Sequence, residues 1–260
     1  MKERLSGIGS LVLILGLFGM TTGCTLFEDN FVATGRKLFN YYCVDCHGKT
    51  GKGDGYNAEF LDPSPSDLTD SEEKHLAELT NKELFETLSR DQIAPEKAFE
   101  AILAGVVERY VPSLMPTYKY TLSEAEIWSI VAYIRTLHPN DAPKIVITPE
   151  MKRKRPKFAR IRNVDLDPDT LLDDKRVEAG KSLYENTYGC EACHSIGGQG
   201  GRIGPALDRA GFISNADWLY RWIKAPQAIK PRTKMLAPGL ADEDALAIVA
   251  YLKTLRAPAN

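Results

Sequence analysis

Cys43-Val44-Asp45-Cys46-His47 and Cys190-Glu191-Ala192-Cys193-His194 are two copies of one pattern, Cys-x-x-Cys-His. Cysteines three apart put both sulfurs on one side of a helical turn, where they can form thioethers with two vinyl groups of a single macrocycle. The histidine that follows lies beneath the ring centre and offers an axial imidazole to an iron. The pattern is a c-type haem attachment site, and its doubling predicts two covalently bound haem c groups that handle electrons.

The cysteine count narrows the chemistry. The chain has 5 cysteines and the two motifs use all but Cys24. A disulfide framework would use an even number, and a structural zinc site would need four soft ligands converging. A thioredoxin-like redox pair does not call for a histidine after each second cysteine. A local zinc module does not tolerate the long stretch between Cys43 and Cys190.

The surroundings of the motifs repeat as well. Gly35-Arg36-Lys37-Leu38-Phe39 precedes the first and Gly180-Lys181-Ser182-Leu183-Tyr184 the second. In each, a glycine and an aromatic four residues later share one helix face. Downstream stand Ile130-Val131-Ala132-Tyr133-Ile134-Arg135-Thr136-Leu137 and Ile248-Val249-Ala250-Tyr251-Leu252-Lys253-Thr254-Leu255, both with helical apolar periodicity. Ser123 and Glu126 form a capping box for the first of these helices, and Asp242 is placed to cap the second. A second capping box, Thr80 with Glu83, opens a helical pattern at 82–88, and another pattern covers 98–103. This added length in the first half reads as scaffold over a haem edge, with a partner surface as the alternative.

These repeats resemble the class I cytochrome c fold. The resemblance implies an all-α protein of two tandem domains, in which the helix before each motif crosses the terminal helix and glycine lets the backbones meet. Phe39 with Tyr133, and Tyr184 with Tyr251, are the expected packed pairs. The expected organisation is residues 1–23 a lipoprotein-type signal segment, 24–34 a tether, 35–138 domain one, 139–172 a linker and 173–257 domain two. The linker holds Pro139, Pro143, Pro149, Pro156 and Pro168 and no periodic apolar face, so it reads as extended.

A methionine opposite the histidine raises the potential of a haem iron. Of the 5 methionines, Met1 and Met20 lie in the signal segment and Met151 in the linker, leaving Met115 and Met235, one per domain. The run from Pro226 through Pro231, Thr233 and Lys234 to Met235 resembles the ligand loop of mitochondrial-type cytochromes c. Met115-Pro116 resembles that of many bacterial ones. The predicted iron ligands are thus His47 with Met115 and His194 with Met235. The resemblance further implies that Thr233 hydrogen-bonds a propionate. It implies that the Pro205 carbonyl holds the ring of His194, and that the Pro65 carbonyl, with Pro63 a near rival, holds that of His47. Trp222 stands where the family has a tyrosine near the methionine sulfur. Trp218 and Trp222, four apart on a helix begun by Ser214, are expected to wall the second haem, and Trp218 can donate its N–H to a propionate. His75 and His138 read as surface residues.

The N-terminus pairs Lys2 and Arg4 with the apolar run 11–18, and Thr21-Thr22-Gly23 then precedes Cys24. This order reads as an export signal, shorter than the roughly 20 apolar residues of a membrane span. It resembles the cleavage box of bacterial lipoproteins, which implies acylation of Cys24, although Thr21 stands where leucine is more usual. An uncleaved anchor helix is the alternative. Either version tethers the haem domains to the outer face of a membrane, facing the periplasm. The net charge of −2 is mild and gives no hint of nucleic acid. The basic run Lys152 to Arg162 reads as a solvated linker or as a contact with anionic lipid or an acidic partner.

The expected protein is a membrane-tethered electron carrier passing single electrons between redox proteins, or the cytochrome subunit of a respiratory complex. The enzyme alternative is a dihaem peroxidase, which needs one iron with an open coordination position.

Overall fold

The computed structural model describes residues 22–70, 79–90, 114–137, 145, 161 and 166–257. The signal segment to residue 21, the pattern at 98–103, His75, His138, Met151 and the basic run lie outside these residues, as does most of the linker. The described chain is predominantly helical, with one two-stranded ribbon, β1 (Ser195–Ile196) antiparallel to β2 (Gln199–Gly200).

In the first half, α1 (Thr22–Tyr42) leads directly into α2 (Val44–His47), so the segment expected to be a tether is helical backbone continuous with the helix before the motif. Among the described residues two further helices follow, α3 (Asn81–Ser89) and α4 (Glu124–Leu137). Both predicted capping boxes form. Glu83 N–H donates to Thr80 Oγ1 at 3.2 Å while Thr80 N–H donates to Glu83 Oε2 at 2.7 Å. Ser123 and Glu126 exchange the same pair at 2.9 and 3.3 Å. Each box satisfies helix-end donors that would otherwise lack partners. α3 buries Leu84 and Leu88, and Phe85 stacks on Trp128 of α4 at 4.5 Å. Its inner face is therefore scaffold.

The second half repeats the plan through α5 (Pro168–Leu171), α6 (Asp174–Ser182), α7 (Ala210–Ile213), α8 (Ala216–Lys224), α9 (Pro226–Ile229) and α10 (Asp242–Thr254). α6 is capped by Asp173 and widens into a π turn over Leu183–Thr187 before the motif. Two cap expectations are corrected. The cap of α8 is Asn215, whose Oδ1 accepts the Trp218 N–H at 2.7 Å, and not Ser214, which ends the preceding turn. α10 begins after Ala241. Asp242 reaches α8 instead, accepting from Tyr220 Oη at 2.9 Å and pairing with Lys224 Nζ at 2.8 Å.

The organising contacts are α1 against α4 and α6 against α10. At the first crossing a β-carbon on Gly35 would stand 1.8 Å from the Ser129 carbonyl oxygen. At the second, one on Gly180 would stand 1.9 Å from that of Ala247. The backbones therefore touch, as the repeats predict, and the aromatic one turn later packs beside each crossing. Phe39 meets Tyr133 at 5.2 Å and Tyr184 meets Tyr251 at 5.7 Å. Each half has its own core. One contains Phe39, Leu122, Ile127, Ile130 and Val131; the other contains Leu183, Ala245, Ile248, Val249 and Leu252.

The halves also meet. The loop at 232–239 of the second half lies on the first: Leu236 packs on the first core, Ala237 N–H donates to Thr121 Oγ1 at 2.9 Å, and Tyr41 Oη donates to the Arg232 carbonyl at 2.8 Å.

Gly35→Ala and Gly180→Ala should each lower stability by about 2 kcal/mol or more, the cost of forcing a methyl group into a filled crossing. Guanidinium unfolding of the purified protein measures it. An unchanged midpoint in both variants would mean that the crossings are looser than described.

Candidate haem sites

The two Cys-x-x-Cys-His segments fold alike. Cys46 N–H and His47 N–H both donate to the Cys43 carbonyl, at 3.2 and 2.8 Å. Cys193 N–H and His194 N–H donate likewise to that of Cys190, at 3.2 and 3.1 Å. One tight turn thus presents two sulfurs and an imidazole together in each half. The turns differ in approach: α1 runs straight into the first, whereas Gly189, in the left-handed region at φ +59°, redirects the chain into the second. None of the four motif cysteines forms a disulfide. Burial pushes Cys43, Cys190 and Cys193 up to about 12, so they are uncharged at neutral pH.

Both imidazoles are fixed by backbone carbonyls. His194 Nδ1 lies 2.8 Å from the Pro205 oxygen. His47 Nδ1 lies 3.1 Å from the oxygen of Ser66, which corrects the expectation of Pro65 by one residue. Pro65 turns its carbonyl elsewhere, toward Gly53, where a β-carbon would stand 2.3 Å from it. A carbonyl can only accept, so Nδ1 carries the proton in each ring and Nε2 keeps a lone pair. Burial lowers the pKa of both histidines, which favours the neutral, ligating form; the carbonyl bonds oppose this only in part. Gly204 makes the second arrangement compact, since its β-carbon would lie 2.3 Å from His194 Cε1.

Met115 packs on the core that contains Cys43, and Met235 packs on the core that takes in Cys190. Tyr118, three residues after Met115, is buried with its hydroxyl against the Cys43 thiol, which draws the Met115 loop to the first motif. The Met235 loop is held by Gln227 Nε2, which donates to the Met235 carbonyl at 2.7 Å, and by the Met235 N–H donating to Thr233 Oγ1 at 3.2 Å. Thr233 thereby uses an oxygen lone pair and keeps its O–H for another acceptor. Trp222 packs on the second core, as Met235 does, whereas Trp218 stacks on Trp222 at 5.2 Å and is partly exposed. The donor set in each half fits a c-type haem: two uncharged thiols for thioether formation, a neutral imidazole of fixed tautomer, and a thioether sulfur on the same core.

Sequence reasoning missed two residues. Ser66 acts through its backbone, so no side-chain signal marks it. Asn57 is wholly buried between the motifs. Its Nδ2 donates to the Ala192 carbonyl at 2.9 Å and to Cys46 Sγ at 3.4 Å, and its Oδ1 accepts the Arg202 N–H at 2.7 Å. An asparagine following Gly53-Asp54-Gly55-Tyr56 reads locally as turn chemistry. Its partners lie far along the chain.

The sequence model of the cytochrome c family matches residues 32–138 and 177–256. Cytochrome c2 of Afifella marina is 36% identical over 103 residues, which is 30% of this chain and 81% of the relative. Cytochrome c2 of Rhodopila globiformis is 38% identical over 82 residues, 31% of this chain and 74% of the relative. Cytochrome c oxidase subunit 2 of Alkalihalophilus pseudofirmus is 36% identical over 86 residues, 30% of this chain but only 25% of that subunit's length.

Gly204→Ala should drive the His194 ring off its present position and convert one centre from a low-spin to a high-spin spectrum. Gly197→Ala, at a left-handed φ of +59° where the added β-carbon strains the turn but meets nothing within 4 Å, serves as the control for backbone strain without a clash on the ring. Electron paramagnetic resonance of the ferric protein reads both, and a Gly204→Ala spectrum identical to wild type would contradict the close contact.

Proposed function

The chain belongs to the cytochrome c family, and on that premise we propose that it is a membrane-tethered dihaem electron-transfer protein. It passes single electrons between periplasmic or membrane redox partners, as a carrier or as the cytochrome subunit of a respiratory complex. The observation that carries this reading is the recurrence of one complete donor set in both halves. Each has a Cys-x-x-Cys-His turn, a histidine held through Nδ1 by a carbonyl, and a methionine on the same core. The name of the oxidase-subunit relative supports the subunit version.

His47 and Met115 would hold one iron, and His194 and Met235 the other. When bound, the haem supplies a one-electron couple. The residues tune it. The Nδ1–H bonds to Ser66 and Pro205 orient each imidazole and raise its basicity, and each methionine sulfur favours the ferrous state. Thr233 would offer its O–H to a propionate, and Trp222 would wall the second haem. With a histidine and a methionine available in each half, the residues would leave no iron position open, and electrons would enter and leave without ligand exchange. A peroxidase needs one vacant position, so the paired methionines favour the carrier. Cys24 carries the lipid, and the domains are residues 35–138 and 173–257. Among the described residues no helix is long and apolar enough to cross a membrane.

The oxidised protein should show a methionine–iron charge-transfer band that accounts for two irons per chain. Met115→Ala and Met235→Ala should each remove half of it, and the double variant all of it. A band worth one iron in the intact protein would leave one centre differently ligated and favour the peroxidase. Cys24→Ser should move the haem-loaded protein from the membrane fraction to the soluble periplasmic fraction. Unchanged membrane retention would sink lipid attachment in favour of an anchor helix.

A further inference from the structure

The two motifs are joined through one side chain. The Asn57 backbone belongs to the first motif, because its N–H donates to the carbonyl of Asp45, between the two motif cysteines, at 2.9 Å. Its side chain belongs to the second. Nδ2 donates to the carbonyl of Ala192, the residue before Cys193, and Oδ1 accepts the N–H of Arg202. The loop that carries Arg202 is itself pinned to the second motif by the Gly201 N–H donating to the Glu191 carbonyl at 2.7 Å. The remaining Nδ2 proton is directed at Cys46 Sγ.

This geometry fixes the orientation of the amide. Its oxygen faces a donor and its nitrogen faces an acceptor, so turning it over would oppose like groups on both sides. Both amide protons and the amide oxygen are engaged, and the residue is 0% exposed. The contact also needs glycine opposite: a β-carbon on Gly201 would stand 2.1 Å from the Ala192 oxygen and 3.0 Å from Asn57 Oδ1. A second tie runs parallel to it. Lys234, next to Met235, pairs with the nearly buried Asp45 of the first motif at 2.7 Å.

We infer that Asn57 is the electronic and positional bridge between the two haem centres, so that an electron accepted by one is shared with the other inside the chain. This rests on the dihaem reading proposed above. A thioether sulfur keeps the lone pairs of the thiol, so the Cys46 contact survives haem attachment. The path runs from Cys46 Sγ through the two hydrogen bonds of Nδ2 to the Ala192 carbonyl, then across one peptide bond and the Cys193 side chain to Cys193 Sγ. One electron moves from the reduced centre to the oxidised one. No bond is made or broken and no proton is transferred. The long linker does not set the separation of the centres; the interface does.

Wild-type protein, Asn57→Leu and Thr121→Val are compared with both haems loaded. Thr121→Val removes the acceptor of the Ala237 N–H and weakens the same interface without touching a motif. Haem per chain is counted first, by the pyridine haemochromogen assay. One electron is then injected by flash from a photoexcited flavin, and the phase whose rate is independent of protein concentration is followed. Asn57→Leu should slow that phase about tenfold and lower one of the two reduction midpoints, while Thr121→Val leaves both midpoints in place and the rate near wild type. If Asn57→Leu does not accumulate, Asn57→Ser, too short to span the gap, is read in the same way. Unchanged exchange in a variant with two haems overturns the bridge and leaves the dihaem reading intact. Equal slowing in Thr121→Val with unmoved midpoints reduces Asn57 to an ordinary interface contact and also overturns it. One haem per wild-type chain defeats the dihaem reading itself.

Discussion

Two helices in each half touch backbone to backbone, and there is no room at the crossing for even a β-carbon. That contact at Gly35 and at Gly180 sets the distance and angle between the helix that delivers the motif and the helix that ends the domain. The rest follows from it. The aromatic one turn beyond each glycine packs against Tyr133 or Tyr251, and the motif follows directly after α1 in the first half and after a π turn and Gly189 in the second. Gly costs helix stability relative to Ala by roughly 1 kcal/mol. Its presence at both crossings means that close approach outweighs that cost.

Once the turn is placed, the chemistry of the imidazole is decided by backbone rather than by side chains. A carbonyl oxygen at Nδ1 selects one tautomer in both halves, and burial keeps the ring uncharged. Any residue can supply a carbonyl, which is why Ser66 serves as well as the proline beside it. What is constrained is the path of the loop. Glycines hold that path close: Gly204 over the His194 ring, Gly53 against the Pro65 carbonyl.

The division between what was legible in the sequence and what was not follows the range of the interactions. Local, side-chain-encoded features were readable: both capping boxes, both cysteine turns and the glycine–aromatic spacing. So was the all-helical class, because one repeat of known pattern occurs twice. The errors lie where a residue has two comparable choices. Ser214 and Asn215 can each cap a helix, and the chain uses the one whose oxygen meets the Trp218 N–H. Asp242 can cap its own helix, but Tyr220 and Lys224 lie within reach and offer it a phenol and an ammonium. Asn57 was unreadable for a different reason. Its role exists only after two sequence-distant loops have been brought together.

The interface between the halves belongs to that last class, and its composition is mostly polar. Leu236 supplies apolar burial. Most of the other contacts are hydrogen bonds to main-chain atoms: Asn57 to Ala192 and Arg202, Thr121 to Ala237, Tyr41 to Arg232. The Lys234–Asp45 pair is partly open to water on the lysine side and contributes on the order of 1 kcal/mol or less. Hydrogen bonds of this kind add little net stability each, yet every one is lost if the surfaces slip by a residue, and a buried amide left unpaired costs about 1–3 kcal/mol. Such an interface selects one register over its neighbours more than it adds adhesion. On the proposed reading of two haem sites, register is the property that would matter, because the separation and the intervening bonds would govern the coupling between them.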